Sequence, residues 1–265
     1  MAASRVRIET RKLDKSFNVE GKPLKVVDDV SFSIREGEFV ALLGPSGSGK
    51  STILNMIATL LNSSGGEIAI DGRPIVFNQP TRNVGYVFQK DTLFPWRTVA
   101  GNIGYALELA GLPAAERKQR VSAAIADAGL QGFDDFYPAS ISGGMRQRVS
   151  LMRTLIVQPE ILLMDEPFGA LDTHTKLEMH QVLLRLWERQ KQTVLFVTHD
   201  LGEALTLADR IILFSARPGQ IKDMFEVDFA RPRDAVKVRE TPRYAELFQH
   251  IWHSLGEEFV KGRKP

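Results

Sequence analysis

The stretch "EFVALLGPSGSGKSTILNMIATLL", residues 38–61, dictates a strand, a glycine-rich turn and a helix in immediate succession. "EFVALLG" reads as a buried strand, and "KSTILNMIATLL" has helical spacing of its apolar residues. Between them, Gly44, Pro45, Ser46, Gly47, Ser48, Gly49, Lys50 and Ser51 satisfy the pattern G-x-x-x-x-G-K-[ST], and Thr52 follows. Glycines this dense give up backbone order. What they allow is a row of backbone N–H groups turned toward one anion, in front of a helix N-terminus whose dipole favours negative charge. Lys50 adds a point charge suited to β- and γ-phosphates, and the Ser51 hydroxyl is suited to Mg²⁺. A purely structural glycine turn would not need the strand and helix on either side, so residues 44–52 are expected to bind a nucleoside triphosphate.

A phosphate loop of this kind needs a metal-holding acid at the end of another buried strand. "ILLMDEP" supplies it, with Asp165 placed to orient a Mg²⁺-bound water and Glu166 able to reach a water attacking the γ-phosphorus. An Asp-Glu pair after an apolar run is common at strand ends, and it gains meaning only beside the glycine loop.

The rest of the chain alternates in character. The first third reads as short strands: "RVRIETRKLDKSF" and "KVVDDVSFSI" alternate apolar and polar residues, and "GEIAIDGRPI" resembles a hairpin. Between "VGYVFQ" and "PEILLMDEP" come three helical patterns, "TVAGNIGYALELAG", "PAAERKQRVSAAIADAG" and "SGGMRQRVSLMRTLIVQ", punctuated by Gly and Pro. Then "ILLMDE", "TVLFVTH" and "RIILFSA" alternate with helical "DTHTKLEMHQVLLRLWERQ" and "LGEALTLA", which implies a parallel sheet with helices on its faces. The expected organisation is an α/β core over 1–88 and 159–215, a helical insertion over 89–158, and an extension over 216–265. In that extension "FEVDFARPR" is expected to add a strand. Tyr244, Leu247, Phe248, Ile251, Trp252, Leu255 and Phe259 recur at helical intervals, so the final helix either docks on its own core or offers a partner surface.

Composition excludes several classes. The net charge is +2, too small to argue for nucleic acid, and with no cysteine neither a disulfide framework nor a thiolate zinc site is possible. The N-terminus has no apolar core segment of a secretory signal, and no apolar run approaches the roughly 20 residues of a spanning helix. Work at a membrane would have to pass through a partner.

At "ISGGMRQR" the chain resembles the ATP-binding subunit of an ABC (ATP-binding cassette) transporter, over about residues 5 to 215. Ser142, Gly143 and Gly144 match the family's Leu-Ser-Gly-Gly-Gln signature, with Ile141 for leucine and Met145 for glutamine. Gln89 matches the Q-loop that senses Mg²⁺ and the γ-phosphate, Asp172 of "GALD" the D-loop, and His199 the switch histidine. Phe17 sits where the family places an aromatic that stacks on adenine, although a core role would also suit it. The resemblance implies an α/β fold: a P-loop NTPase (RecA-like) core with an antiparallel β subdomain and an inserted all-helical subdomain. It implies ATP and Mg²⁺ as cofactors, the metal held by Ser51, Gln89 and Asp165. It also implies a second ATP-binding subunit, each ATP being sandwiched between one phosphate loop and the other subunit's Ser142, Gly143 and Gly144. Glu166 would then polarise the attacking water and His199 would contact the γ-phosphate.

Integral membrane permease subunits are implied as partners, which places the chain peripherally on the cytoplasmic face of the inner membrane. Leu93, Phe94, Pro95 and Trp96, read as exposed beside the Q-loop, match the groove that receives the permease's coupling helix. "FPWRTVAGNI", "MDEPFGALD", "FSARPGQI" and "DFARPR" resemble the nitrate, sulfonate and taurine importer group, whose solutes are delivered by an extracytoplasmic binding protein. Two rival classes compete. A soluble ABC ATPase acting on nucleic acid or the ribosome would typically carry two cassettes, a coiled-coil insertion or zinc modules, none of which is seen in this sequence. A nucleotide kinase or GTPase sharing only the phosphate loop would leave "SGGMRQR" and His199 unexplained.

Overall fold

The computed structural model describes residues 5–79, 81, 83–169 and 171–261, with side chains described to residue 258. The first four residues of the expected core, Ala170 of "GALD" and the Phe259 side chain lie outside the described residues.

Strands β1 (Val6–Val19) and β2 (Lys22–Arg35) form a long antiparallel hairpin. Its buried face holds Ile8, Leu13, Val30, Phe32 and Ile34, and within "NVEGKPLK" only Glu20 and Gly21 form the turn, the rest being paired strand. Strand β3 (Phe39–Leu43), apolar throughout, is buried at every position and leads through the glycine loop into helix α1 (Lys50–Ile57). Strands β4 (Gly65–Ile70) and β5 (Arg73–Pro74) form the expected hairpin and complete an antiparallel sheet of order β2-β1-β4-β5.

After β6 (Val84–Val87) come α2 (Val99–Leu109), α3 (Ala114–Asp127) and α4 (Gly143–Leu155), where the three helical patterns lie. Then β7 (Ile161–Asp165), α5 (Thr173–Gln190), β8 (Thr193–Thr198), α6 (Leu201–Leu207) and β9 (Arg210–Phe214) alternate. Strand β10 (Ile221–Glu226) and helix α7 (Pro242–Lys261) follow.

The second sheet has the order β10-β9-β3-β8-β7-β6, parallel except for β10 at its edge. Its inner strands β3, β7 and β8 are apolar on both faces because both faces are covered. Val40, Leu42, Leu195 and Val197 pack with α1 and the antiparallel sheet, whereas Ala41, Leu43, Val194 and Phe196 pack with the helices on the far side. Fully burying each large aliphatic side chain contributes about 1.5–3 kcal/mol, so this two-sided core sets the register of the sheet firmly.

The end of the chain departs from expectation. The added strand begins at Ile221 and ends at Glu226, so only the first two residues of "FEVDFARPR" belong to it. Beyond it Arg231 and Arg233 turn inward to Asp209 Oδ1 at 2.7 and 3.3 Å, and Arg233 also binds Ala208 O at 2.6 Å. These bonds to a single carboxylate and to the end of α6 fold the segment back and cost it the sheet. Helix α7 buries Tyr244, Leu247, Ile251 and Leu255 against the same core, while Trp252 stays 52% exposed at the end of a ring stack running through Phe229, Tyr244 and Phe248. Among the described residues, no helix is long and apolar enough to cross a membrane.

Candidate nucleotide site

Four parallel strands end at one edge of the sheet, and each delivers part of the site. The glycine loop leaves the C-terminal end of β3, whose neighbours β8 and β9 flank it on both sides. Gly49 caps α1 at φ 86°, a left-handed conformation that most residues resist. A Cβ there would also lie 2.9 Å from Val27 Cγ2.

Lys50 is buried, and its Nζ donates to Gly44 O at 2.9 Å, Pro45 O at 2.7 Å and Ser48 Oγ at 3.1 Å. Burial lowers its pKa to about 8, with the charges of Glu166 and Asp165 pulling the other way. Ser51 Oγ donates to Asp165 Oδ1 at 2.7 Å, joining the loop to the end of β7. Burial pushes the Asp165 carboxyl up; the Ser51 hydrogen bond opposes that shift and the Glu166 charge adds to it. A hydroxyl and a carboxylate held together form a hard oxygen donor set that fits Mg²⁺.

Glu166 has φ 41°, a strained value for a non-glycine residue. Its backbone N–H still donates to Val197 O at 3.0 Å, which fixes the strained residue against β8. Gln89 Nε2 donates to Glu166 Oε2 at 3.2 Å, and His199 Nδ1 lies 3.1 Å from the same oxygen. Residues 77 and 33 positions distant in sequence therefore meet at a single carboxylate oxygen. Two groups escaped the sequence reading: Tyr86 O–H donates to Asn55 Oδ1 at 2.9 Å and reaches Asp165 Oδ2 at 3.4 Å. Asn55 sits one helical turn after Ser51, and that spacing was the available signal.

The signature residues lie apart. Among the described residues, no hydrogen bond, ion pair or ring contact joins Ser142–Met145 to the loop at 44–52. Ser142 caps α4, its Oγ accepting from Met145 N at 3.2 Å. Gly144 packs on α5, since a Cβ there would lie 2.7 Å from Thr175 Cγ2. Met145 packs partly buried against the core. Asp172 caps α5, accepting from His174 N and Thr175 N at 3.1 Å and from Thr175 Oγ1 at 2.6 Å. The Thr175 hydrogen bonds, that of its hydroxyl first, hold the Asp172 carboxyl below its usual range. Phe17 stands 36% exposed on β1 opposite Leu24, which lies three residues along β2 from Val27 beside Gly49, and Lys15 Nζ is 5.0 Å from its ring centre.

The apolar segment after Gln89 is less open than expected. Leu93 and Phe94 are half-buried, Phe94 lying edge-on to Tyr105 at 4.7 Å, while Pro95 is exposed and Trp96 is 70% exposed. The cause is Asn102, fully buried, whose Nδ2 donates to Phe94 O, Arg97 O and Thr98 O and whose Oδ1 accepts from Phe94 N. One side chain thus organises the whole turn.

A family model described as ABC transporter matches residues 27–169, from the start of the loop's support to the end of the Asp165–Gly169 turn. The chain belongs to the ABC transporter family. An ABC transporter ATP-binding protein of Methanocaldococcus jannaschii is 41% identical over 260 residues, covering 98% of this chain and 95% of that one. The taurine import ATP-binding protein TauB of Rhizobium johnstonii is 43% identical over 87% of this ABC protein and 89% of its own length. The aliphatic sulfonates import ATP-binding protein SsuB of Bacillus cereus is 40% identical over 94% of both. Among solved structures, the dimeric post-hydrolysis state of the ATP-binding cassette MJ0796 bound to ADP and Pi superposes with a TM-score of 0.74 at 31% identity. It covers 84% of this chain and 100% of that one. The α/β architecture with its inserted helices is that of an ABC cassette.

Proposed function

We propose that this ABC protein is the ATP-hydrolysing subunit of an importer, closing as a dimer around two ATP molecules to drive uptake of a small solute of the sulfonate, taurine or nitrate kind through a separate membrane permease. Family membership carries ATP binding and hydrolysis with it. The observation that supports hydrolysis at a site shared by two copies is the convergence of Gln89, His199 and Glu166 on one oxygen beside Lys50 and Ser51, with Ser142 capping a separate helix.

The chemistry follows from that arrangement. Lys50 exchanges its carbonyl partners for β- and γ-phosphate oxygens, and the loop N–H groups take the rest of the charge. Glu166 accepts a proton from water as that water bonds to the γ-phosphorus and the bond to ADP breaks. His199, 3.1 Å from Glu166, orients the carboxylate and meets the γ-phosphate. Mg²⁺, held by Ser51 and Asp165 with Gln89, would neutralise charge on the phosphates. Ser142 already accepts from Met145 N, so its own O–H remains to donate to the γ-phosphate of ATP on a second copy. That geometry makes the site half complete in one chain and favours a homodimer.

Trp96 and the turn around it would seat the permease, and an extracytoplasmic solute-binding protein would act indirectly through that permease. The relatives named for taurine and sulfonate import support this solute class. The test is affinity purification from membranes followed by reconstitution. A polytopic membrane protein should co-purify, and ATP turnover in proteoliposomes should rise with a sulfonate and its binding protein. Co-purification with ribosomes or DNA would overturn the importer assignment.

A further inference from the structure

Helix α7 carries a buried carboxylate near its end. Glu258 is 2% exposed, its Oε2 accepts from Ala216 N at 3.0 Å, and its Oε1 lies 3.0 Å from Lys222 Nζ. Lys222 in turn donates to Ser254 O at 2.8 Å, so the helix is joined to the hairpin at both Ala216 and Lys222. Ala216 opens the turn between β9 and β10. Ser215 closes that turn, its N–H donating to Gln220 O at 2.9 Å and its Oγ accepting from Gln220 N at 3.0 Å.

The tip of this turn reaches the phosphate loop. Gly219 N donates to Val26 O at 2.9 Å and Gly219 O accepts from Asp28 N at 3.1 Å, laying the tip along β2. A Cβ at Gly219 would lie 1.9 Å from Ser48 O, so the tip presses directly on that carbonyl. The start of the loop is backed in the same way, a Cβ at Gly44 falling 2.9 Å from Phe214 O. In a planar trans peptide the C=O and the following N–H point in opposite directions. Holding the Ser48 carbonyl against Gly219 therefore holds the Gly49 N–H toward the opposite side, where the triphosphate is to bind.

We infer that Glu258 is a positioning residue for the phosphate loop, acting through Ala216 and Gly219 to fix the Ser48–Gly49 peptide. The inference rests on reading residues 44–52 as the triphosphate site. It gives the C-terminal helix a task in nucleotide affinity, one that docking alone would not require. The carboxylate matters because Ala216 N–H is otherwise left without a partner, and an unsatisfied amide lets the turn slide.

The test is titration of the purified full chain with a fluorescent non-hydrolysable ATP analogue, alongside steady-state ATPase kinetics. E258A should weaken analogue binding about tenfold, the equivalent of one charge-assisted hydrogen bond, and raise KM equally while kcat stays within about twofold. E258Q keeps an acceptor for Ala216 N and should recover most of the affinity; W252A, on the exposed side of α7, should bind as wild type. Wild-type affinity in folded E258A, a fall in kcat at unchanged KM, or no recovery in E258Q would each overturn the assignment. Should E258A not fold, hydrogen exchange on the wild-type chain gives the answer. The analogue should protect amides 216–220 together with 44–50, and protection confined to the loop would refute the coupling. A wild-type chain that binds no analogue would sink the triphosphate reading itself.

Discussion

Nucleotide binding should be accompanied by proton uptake at Lys50, with an amplitude that grows with pH. The ammonium is buried, satisfied by two carbonyls and one hydroxyl, and burial holds its pKa at about 8. A phosphate charge brought within about 4 Å contributes about 4 kcal/mol at an effective dielectric of 20, equivalent to about three pKa units. That carries Lys50 well above 10 in the complex. Binding should then take up about 0.1 proton at pH 7, about 0.5 at pH 8 and about 0.9 at pH 9. Affinity should fall by roughly tenfold per unit above pH 8, because a neutral amine must first be protonated. Calorimetric titration in buffers of different ionisation enthalpy measures the uptake directly. A phosphate group, whose second pKa is about 6, would give the opposite trend, with exchange fading as pH rises. Uptake that is flat or falling from pH 7 to 9 refutes the reasoning. The same shift appears in stability: between pH 8 and 10.5 the unfolded lysine holds a proton that the folded one lacks. Stability of the nucleotide-free chain should therefore rise across that window by about 3 kcal/mol.

Three further outcomes follow from the site and its surroundings. Glu166→Gln should slow ATP turnover by about 10²–10⁴-fold while ATP-bound dimers accumulate on size exclusion; turnover near wild type would remove Glu166 from its role. Gly144→Ala should cost turnover and stability together, since the added methyl meets Thr175 Cγ2 at 2.7 Å, and Thr175→Ser, which removes that methyl, should restore both. His180 is buried edge-on to Phe168, and burial, with the Arg239 charge adding to it, lowers its pKa to about 3. Between pH 6.5 and 3 the unfolded chain binds a proton there that the folded chain does not, so stability falls with pH. The loss is about 2 kcal/mol by pH 5, and His180→Leu should flatten it when urea midpoints at pH 7 and 5 are compared.

What the sequence made legible was whatever is local or periodic. The loop at 44–52 declares itself because its strand, glycines and helix are contiguous, and the apolar runs ending at Leu43, Asp165 and Thr198 mark strands of a covered parallel sheet. The meeting of Gln89, Glu166 and His199 was reached through motif order alone; nothing in their local patterns shows that they share one carboxylate oxygen. Contacts between distant segments left no trace. Gly144 reads as a phosphate-binding glycine, yet its absent side chain is already required by Thr175. Gly219 reads as an ordinary turn residue, and its contact with Ser48, 171 positions away, depends on the chain between them folding correctly. "FEVDFARPR" alternates well enough to suggest a strand, but Asp209 lies where it can bind two arginines of that segment, and the ion pairs win over the ladder.

The segment from Gln89 to Trp96 connects three things that a transport ATPase must keep in step. Gln89 touches Glu166, so its position depends on the reacting end of the nucleotide site. Asp91 accepts from Arg146 Nε at 2.8 Å, and Thr92 accepts from Arg153 through its carbonyl at 2.7 Å and its hydroxyl at 2.6 Å. Both arginines lie on α4, the helix capped by Ser142, and Arg146 also donates to Ile141 O at 2.9 Å just before the cap. Asn102 then fixes the turn that carries Trp96 outward. The backbone from Gln89 to Thr92 and the short hydrogen bonds of Asp91 and Thr92 thus link the Glu166 side of the site to the helix that Ser142 caps. All three bonds from Arg146 and Arg153 to Asp91 and Thr92 have a charged donor, and the Arg146–Asp91 bond is partly buried, so the segment is tied firmly to α4. If two copies close on ATP as proposed, the Ser142 cap and the Trp96 turn are tied to one segment and would move together.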